Sequence, residues 1–334
     1  RSSRAQAVIE MSEEIPMRTV RLLSLTLFCL VAVVGASVAA DRGIKKDYPV
    51  TKITERIYVI YGPYEMPNKQ NQGFRNNPAF VVTSVGVIVI DPGGGKNVGE
   101  MVLEKIRTIT DKPVVAVFDT HSHGDHWLGN DAIKRAYPKA VIYGHPNMKA
   151  ALKAGEGERW VKMVNEATKG ETEGTVAVGP DKTVNHGEVI KIGDRQFHIY
   201  HYGSAHTDDD ILIEVVEDKV LFVGDVVRVK ALGSQEGSFK GNIAAIEKML
   251  SLPVKIFVPG HGPTGGRKML KTYNGFLQKL YAAVQELYKL GISDFEMKPK
   301  VIETLKEYRG WAEFDTFIGP HVSQVYLEVE KEAF

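Results

Sequence analysis

Through the first 260 positions, apolar residues either alternate with polar ones or run together in blocks of four to six. ITERIYVIYG (53–62) and NPAFVVTSVGVIVIDPGGG (77–95) are rich in β-branched residues, and they predict strands, the second interrupted by a turn over 84–86. NVGEMVLEKIRTI (97–109) switches to the helical period, and PVVAVFDT (113–120) reads as a buried strand that delivers the chain to His121. A short helix ended by proline (DAIKRAYP), a strand (AVIYGHP) and a polar, helical excursion over 147–170 follow. EVIKIGDRQFHIYHY and DILIEVVEDKVLFVGDVV then predict two hairpins, with turns at Gly193-Asp194 and around Glu217 to Lys219. A helix over about 242–251 precedes KIFVPGHG, a strand running into a glycine-flanked histidine. From Arg267 onward the pattern is helical: LKTYNGFLQKLYAAVQELYKLG is one amphipathic helix, with two or three shorter helices behind it. No repeat or low-complexity tract interrupts this order. Strands and helices alternate in two halves of similar order, which predicts an α/β chain (α+β in some schemes). Its architecture would be an αββα sandwich of two mixed sheets with outer helices, plus a C-terminal helical extension.

The N-terminal pattern is different in kind. Met17 opens a short basic stretch, then LLSLTLFCLVAVVGASVAA, with small residues Val38 and Ala40 before Asp41. This is the pattern of a secretory signal peptide over 17–40, with 1–16 as upstream sequence. An uncleaved anchor is the competing reading, but the run barely reaches the ~20 apolar residues a spanning helix needs. The expected organisation is therefore a main domain over 41–266 and a helical extension over 267–334 packed on it. The mature protein would be periplasmic or secreted, with no stable membrane insertion. Cys29, the only cysteine, falls in the apolar run, so a thiol nucleophile is excluded from the mature chain. Residues 1–40 carry four Arg and three Glu, which leaves 38 basic and 38 acidic residues beyond them. With no basic excess, nucleic acid is not an expected partner. A small-molecule substrate is, and the helical tail is expected to cover one lip of the substrate site or to form a homodimer contact.

The chemistry is concentrated in FDTHSHGDHWLGN (118–130). His121, His123, Asp125 and His126 form H-x-H-x-D-H. Alternate side chains of an extended segment share a face, so His121 and His123 can grip one ion while Asp125 and His126, beyond the bend, turn toward a second. Imidazole and carboxylate without thiolate suit zinc and tolerate iron or manganese. Four such residues cannot complete two sites. The remaining ligands are sought at other strand ends, where His206 (GSAHTDDD), Asp225 (LFVGDVV) and His261 (VPGHG) stand. His145, His186, His198, His201 and His321 are read as packing or solvent residues, and Tyr64, Trp127 and Tyr202 as candidate pocket walls more simply explained by packing.

Over residues 52–264 the motifs VIVIDPGG, THSHGDHWLGN, AHTDDD, FVGDVV and VPGHGP occur in an order that resembles the metallo-β-lactamase superfamily of αββα metallohydrolases. NQGFRNNPAFVVTSVGVIVIDPGGG is also similar to secreted members associated with bacterial sulfur- and quinoprotein-dependent oxidation. The resemblance implies two Zn²⁺, the first on His121, His123 and His206, the second on Asp125, His126 and His261, with Asp225 bridging. It implies that Asp91 orients ligands, a role also open to Asp210, although either could equally be a turn cap. Two such ions about 4 Å apart share a hydroxide that forms near neutral pH. Asp125 is placed to orient it and to carry a proton to the leaving group.

Within the resemblance, β-lactam hydrolases usually lack the carboxylate supplied here by Asp225, whereas thioesterases, lactonases and phosphodiesterases carry it. Phosphodiesters are set lower because no basic cluster is evident near the ligands, Arg228, Lys230 and Lys240 reading as a solvated loop. The expected activity is thus metal-dependent hydrolysis of a carboxylic ester, thioester or lactone. The alternatives are a β-lactam hydrolase or a mononuclear iron persulfide dioxygenase using His121, His206 and Asp225. A secreted, non-enzymatic zinc protein is disfavoured, because a structural zinc site closes all four positions with protein ligands.

Overall fold

The computed structural model describes residues 43–333, so the upstream segment, the signal-like segment and Cys29 lie outside the described residues. Among them, twelve strands form two sheets. The first follows chain order: β1 (Val50–Lys52), β2 (Ile57–Ile60), β3 (Ala79–Val82), β4 (Val87–Ile90), β5 (Val114–Phe118), β6 (Val141–Gly144) and β7 (Lys182–Thr183). The second runs β12 (Ile256–Pro259), β11 (Val220–Gly224), β10 (Leu212–Val215), β9 (Arg195–Tyr200), β8 (Val189–Ile192). Both are mixed. β4, β5 and β6 pair in parallel, as do β11 and β12, and the hairpins β3–β4, β8–β9 and β10–β11 are antiparallel.

Strands such as VIVI and VLFVG are apolar throughout because they are buried on both faces. One alternating set, including Ile57, Val59, Ile88, Ile90 and Phe118, meets Phe197, Ile199, Ile213 and Phe222 of the other sheet. The opposite set, including Phe80, Val87, Val89 and Val117, packs on Val98, Val102 and Ile106 of α1 (Lys96–Arg107). The outer face of the second sheet, with Leu221, Val223 and Phe257, is covered by α6 (Phe239–Ser251) and α7 (Arg267–Lys289). This is the expected sandwich, with sheets of seven and five strands rather than two matched halves.

Between β5 and β8 lie α2 (Gly124–Trp127), α3 (Asn130–Ala136), α4 (Pro146–Ala151) and α5 (Gly157–Ala167), the last two joined by a π turn over Leu152–Glu156 that turns at Gly155, φ 103°. The helix expected from 242 starts at Phe239, because Ser238 caps it, accepting from the Gly241 amide. After α7 come α8 (Asp294–Thr304) and α9 (Phe314–Glu332). These share a core with the second sheet: Phe276, Leu280, Met297, Phe314 and Ile318 are all buried in it. Among the described residues, no helix is long and apolar enough to cross a membrane.

Candidate metal centre

The strands stop where the polar residues begin. β4 ends at Ile90 before Asp91, β5 at Phe118 before Asp119-Thr120-His121, β11 at Gly224 before Asp225, and β12 at Pro259 before Gly260-His261. His206 is carried by the loop between β9 and β10. A rigid sandwich thereby brings loop residues from separate parts of the chain to one rim.

All seven expected residues meet there and all are buried. Their ligand atoms fall into three groups, each within 4.8 Å: His121, His123 and His206; His121, His126 and Asp225; Asp125, His126 and His261. His123 Nδ1 lies 3.0 Å from His206 Nε2, and His126 Nε2 lies 3.3 Å from His261 Nε2. Asp225 lies between the outer groups, Oδ2 being 3.8 Å from His206 Nε2 and 3.4 Å from His261 Nε2, and Oδ1 3.5 Å from His126 Nε2. His261 Nε2 is 3.2 Å from Asp125 Oδ2. The backbone keeps room for this convergence. A Cβ on Gly260 would collide with Asp225 Oδ1 and His126 Cε1.

Each ring is held from behind. Asp91 Oδ2 lies 2.8 Å from His126 Nδ1 and accepts from the Thr120 hydroxyl, while its Oδ1 accepts from the Thr120 amide. Thr120 Oγ1 is 2.9 Å from His121 Nδ1, and His261 Nδ1 donates to the carbonyl of Arg75 at 2.9 Å. These contacts leave Nε2 of His121, His126 and His261 facing the cluster. Asp91 takes a left-handed turn, φ 50°, which Asp tolerates better than most residues. It has the orienting geometry expected of it. Asp210 does not: its carboxylate caps the turn, accepting from the Thr207 amide and hydroxyl.

The donor set fits a divalent cation. His121 Nε2 and Asp225 Oδ1 are buried with no hydrogen-bond partner, and such groups are costly to leave unmatched. Burial and the neighbouring imidazoles hold His121 and His206 well below the usual imidazole range, so both offer lone pairs at neutral pH. Burial also opposes a charge on His126, but Asp125, Asp225 and Asp91 outweigh it and raise its pKa to about 9. That point favours positive charge, whether a proton or a metal ion. Burial pushes Asp225 up, but Arg228, His261 and His126 hold it well below the carboxylate range.

Two expectations fail. Arg228 is not in a solvated loop: it is buried, and its Nη2 donates to Asp225 Oδ2 at 2.6 Å. Gly233 makes that possible, since a Cβ there would strike the guanidinium. Arg228, Arg75 and Arg159 all line the cavity over the cluster, so basic residues absent from the local sequence are present in space. Lys230 and Lys240 do stay at the surface. Of the candidate walls, Trp127 is fully buried, donating its indole N–H to the Ser122 carbonyl, Tyr64 donates to the Val229 carbonyl, and Tyr202 packs on the helical core. The cavity, about 320 Å³, is walled instead by Trp160, Met163, Met66 and Phe317.

Sequence reading also missed Glu236, with Oε1 3.2 Å from His123 Nε2, and Gln235, with Oε1 3.4 Å from His206 Nδ1. The other histidines remain outside the cluster: His145 stacks on His201, and His321 hydrogen-bonds the Gly233 carbonyl.

Residues 72–261 match the model of the metallo-beta-lactamase superfamily, more than half of the chain. The chain belongs to that superfamily. It is 24% identical over 238 residues to a metallo-beta-lactamase type 2 of Bacillus sp. (strain 170), covering 68% of this chain and 82% of that protein. It is 25% identical over 224 residues to a hydroxyacylglutathione hydrolase of Synechococcus sp. (strain JA-3-3Ab), covering 66% and 75%. The solved metallo-beta-lactamase from Pontibacter korlensis superposes with a TM-score of 0.56 at 26% identity, over 70% of this chain and 99% of that one. The chain is thus a superfamily hydrolase whose clustered His and Asp groups are suited to a divalent metal.

Proposed function

We propose that the protein hydrolyses a carboxylic ester, thioester or lactone, with two zinc ions held by His121, His123 and His206 and by Asp125, His126 and His261, Asp225 standing between. The observation that carries this reading is the placement of Asp225, whose two oxygens face histidines of both outer groups. When bound, the ions would supply an activated water at neutral pH and polarise the carbonyl oxygen of the acyl group.

The protein's own groups do the rest. Asp91, Thr120 and the Arg75 carbonyl fix the imidazoles. Arg228 fixes Asp225. Asp125 lines the cavity beside His261, where its carboxylate can take the proton of the attacking water and return it to the leaving oxygen or sulfur as the acyl bond breaks. Similarity to a hydroxyacylglutathione hydrolase supports the thioester member of this class. The cavity arginines revive a phosphodiester as the second reading, yet each already faces a carboxylate: Arg228 with Asp225, Arg75 with Asp125 and Glu313, Arg159 with Glu156. The signal-like segment over 17–40 supports an exported enzyme.

The test is metal content by mass spectrometry on the purified protein, together with a panel of thioester, lactone, phosphodiester and β-lactam substrates. Two zinc ions per chain, with fastest turnover of the first two classes, are expected. One iron per chain with oxygen uptake on a persulfide, or fastest turnover of a β-lactam or phosphodiester, overturns the proposal.

A further inference from the structure

Three segments bring apolar side chains to the cavity above the His/Asp cluster. Met66 and Pro67 come from the loop between β2 and β3, Trp160, Met163 and Val164 from one face of α5, and Phe317 from α9. Met66 is 51% exposed and Met163 39% exposed at this rim. Large apolar side chains left in water around a concave polar site are the signature of a seat for an apolar ligand.

The wall begins at the cluster itself. The Trp160 ring centroid lies 5.3 Å from that of His123, and the ring rests on Gly124, where a Cβ would collide with it. A group attached to a carbon held at the cluster meets apolar surface at once.

Phe317 lies beyond the family-matched residues 72–261, so this part of the wall comes from the helices that follow the matched region. It is firmly placed. Ala312 bridges to Ala231, its carbonyl accepts from the Leu232 amide, and its amide donates to the Lys230 carbonyl, all next to the loop that carries Arg228 and Gly233. Glu313 then stands 3.7 Å from Arg75, which stands 3.7 Å from Asp125.

We infer that the substrate carries an uncharged aliphatic chain on the acyl side of the scissile bond, and that Phe317, with Trp160 and Met163, selects it. This rests on the hydrolase reading above and adds the nature of the acyl group. Because the three cavity arginines face carboxylates of the protein, the seat has no unmatched cation calling for a second anion on the substrate.

The experiment compares kcat/KM of the zinc-loaded full chain on straight-chain thioesters and aryl esters from acetyl to octanoyl. A rise of roughly threefold to fourfold per buried methylene is expected. Phe317→Ala and Met163→Ser should flatten that slope, the octanoyl substrate losing about tenfold more than the acetyl one, while Phe317→Leu retains most of it. In parallel, octanoate and acetate are titrated into metal-stripped protein and followed by tryptophan fluorescence, with Trp160→Phe as the control. Octanoate should bind at least tenfold more tightly than acetate and lose that margin in Phe317→Ala.

A flat chain-length profile overturns the inference, as does an unaltered slope in Phe317→Ala and Met163→Ser proteins that melt like the parent. If no ester, thioester or lactone is turned over, the hydrolase reading fails by itself. The octanoate titration still decides the seat: equal binding of octanoate and acetate removes it.

Discussion

Asp225 shows how one residue's meaning changes when its neighbours arrive from elsewhere in the chain. By sequence it is an acidic residue at a strand end. In the folded protein it is buried, faces three histidines, and is gripped by the buried Arg228. Removing one partner of a buried ion pair leaves the other uncompensated, at a cost of roughly 3–5 kcal/mol. Asp225→Asn should therefore lower the melting temperature of metal-stripped protein, as well as reducing metal uptake and turnover by at least a hundredfold. Adding Arg228→Met should recover much of the stability and none of the metal. A double variant that melts no higher than the single one would falsify the pairing.

The seven candidate metal residues are legible because H-x-H-x-D-H serves no packing purpose and because His206, Asp225 and His261 each follow or precede an apolar block. Arg228, Arg75, Glu236 and Gln235 are not. Their roles depend on which loop lies across which, and nothing in a loop's own sequence encodes that.

Among the elements, strands were easier to read than the helices that wall the cavity. The second sheet and the hairpins follow from β-branched blocks and turn residues, and Ser238 moves the start of α6 only because its hydroxyl can cap. The pattern over 147–170 reads as helical but does not reveal the break at the π turn, where Gly155 takes a conformation costly for other residues. That break sets the direction of α5 and so puts Trp160 against the His123 loop.

At the other end, α9 is held by Phe314, buried among Phe276, Leu280 and Ile318 of the helical core. Truncating a buried phenylalanine costs about 3–5 kcal/mol. Phe314→Ala should lower stability by that amount in denaturant unfolding and loosen the neighbouring Phe317. A loss below about 1 kcal/mol would show that α9 is not fastened there.

For the molecule as a whole, acid sensitivity is a direct consequence of burying imidazoles. His321 is 3% exposed, and burial lowers its pKa to about 4, against an ordinary value of 6.5. The unfolded chain thus binds more protons than the folded one between pH 6.5 and 4. The neutral ring's contribution is complete above pH 6.5 and is lost as pH falls toward 4, amounting to roughly 3 kcal/mol. His321→Gln keeps a donor for the Gly233 carbonyl but no titratable ring, so its stability should depend less steeply on pH across that window. Parallel pH profiles for variant and parent would show that the ring contributes nothing to acid unfolding.

Sequence by itself determined the order of strands and helices, the two-sheet class and the seven candidate metal residues, because these depend on local periodicity and on side-chain chemistry that needs no neighbour to be recognised. Tertiary structure decided what surrounds those candidates. The Arg228–Asp225 pair, the carboxylates facing Arg75, and the apolar wall of Trp160, Met163 and Phe317 join residues that are remote in sequence. Their proximity is fixed by how two sheets and a helical tail close on one another, a relation that no single segment contains.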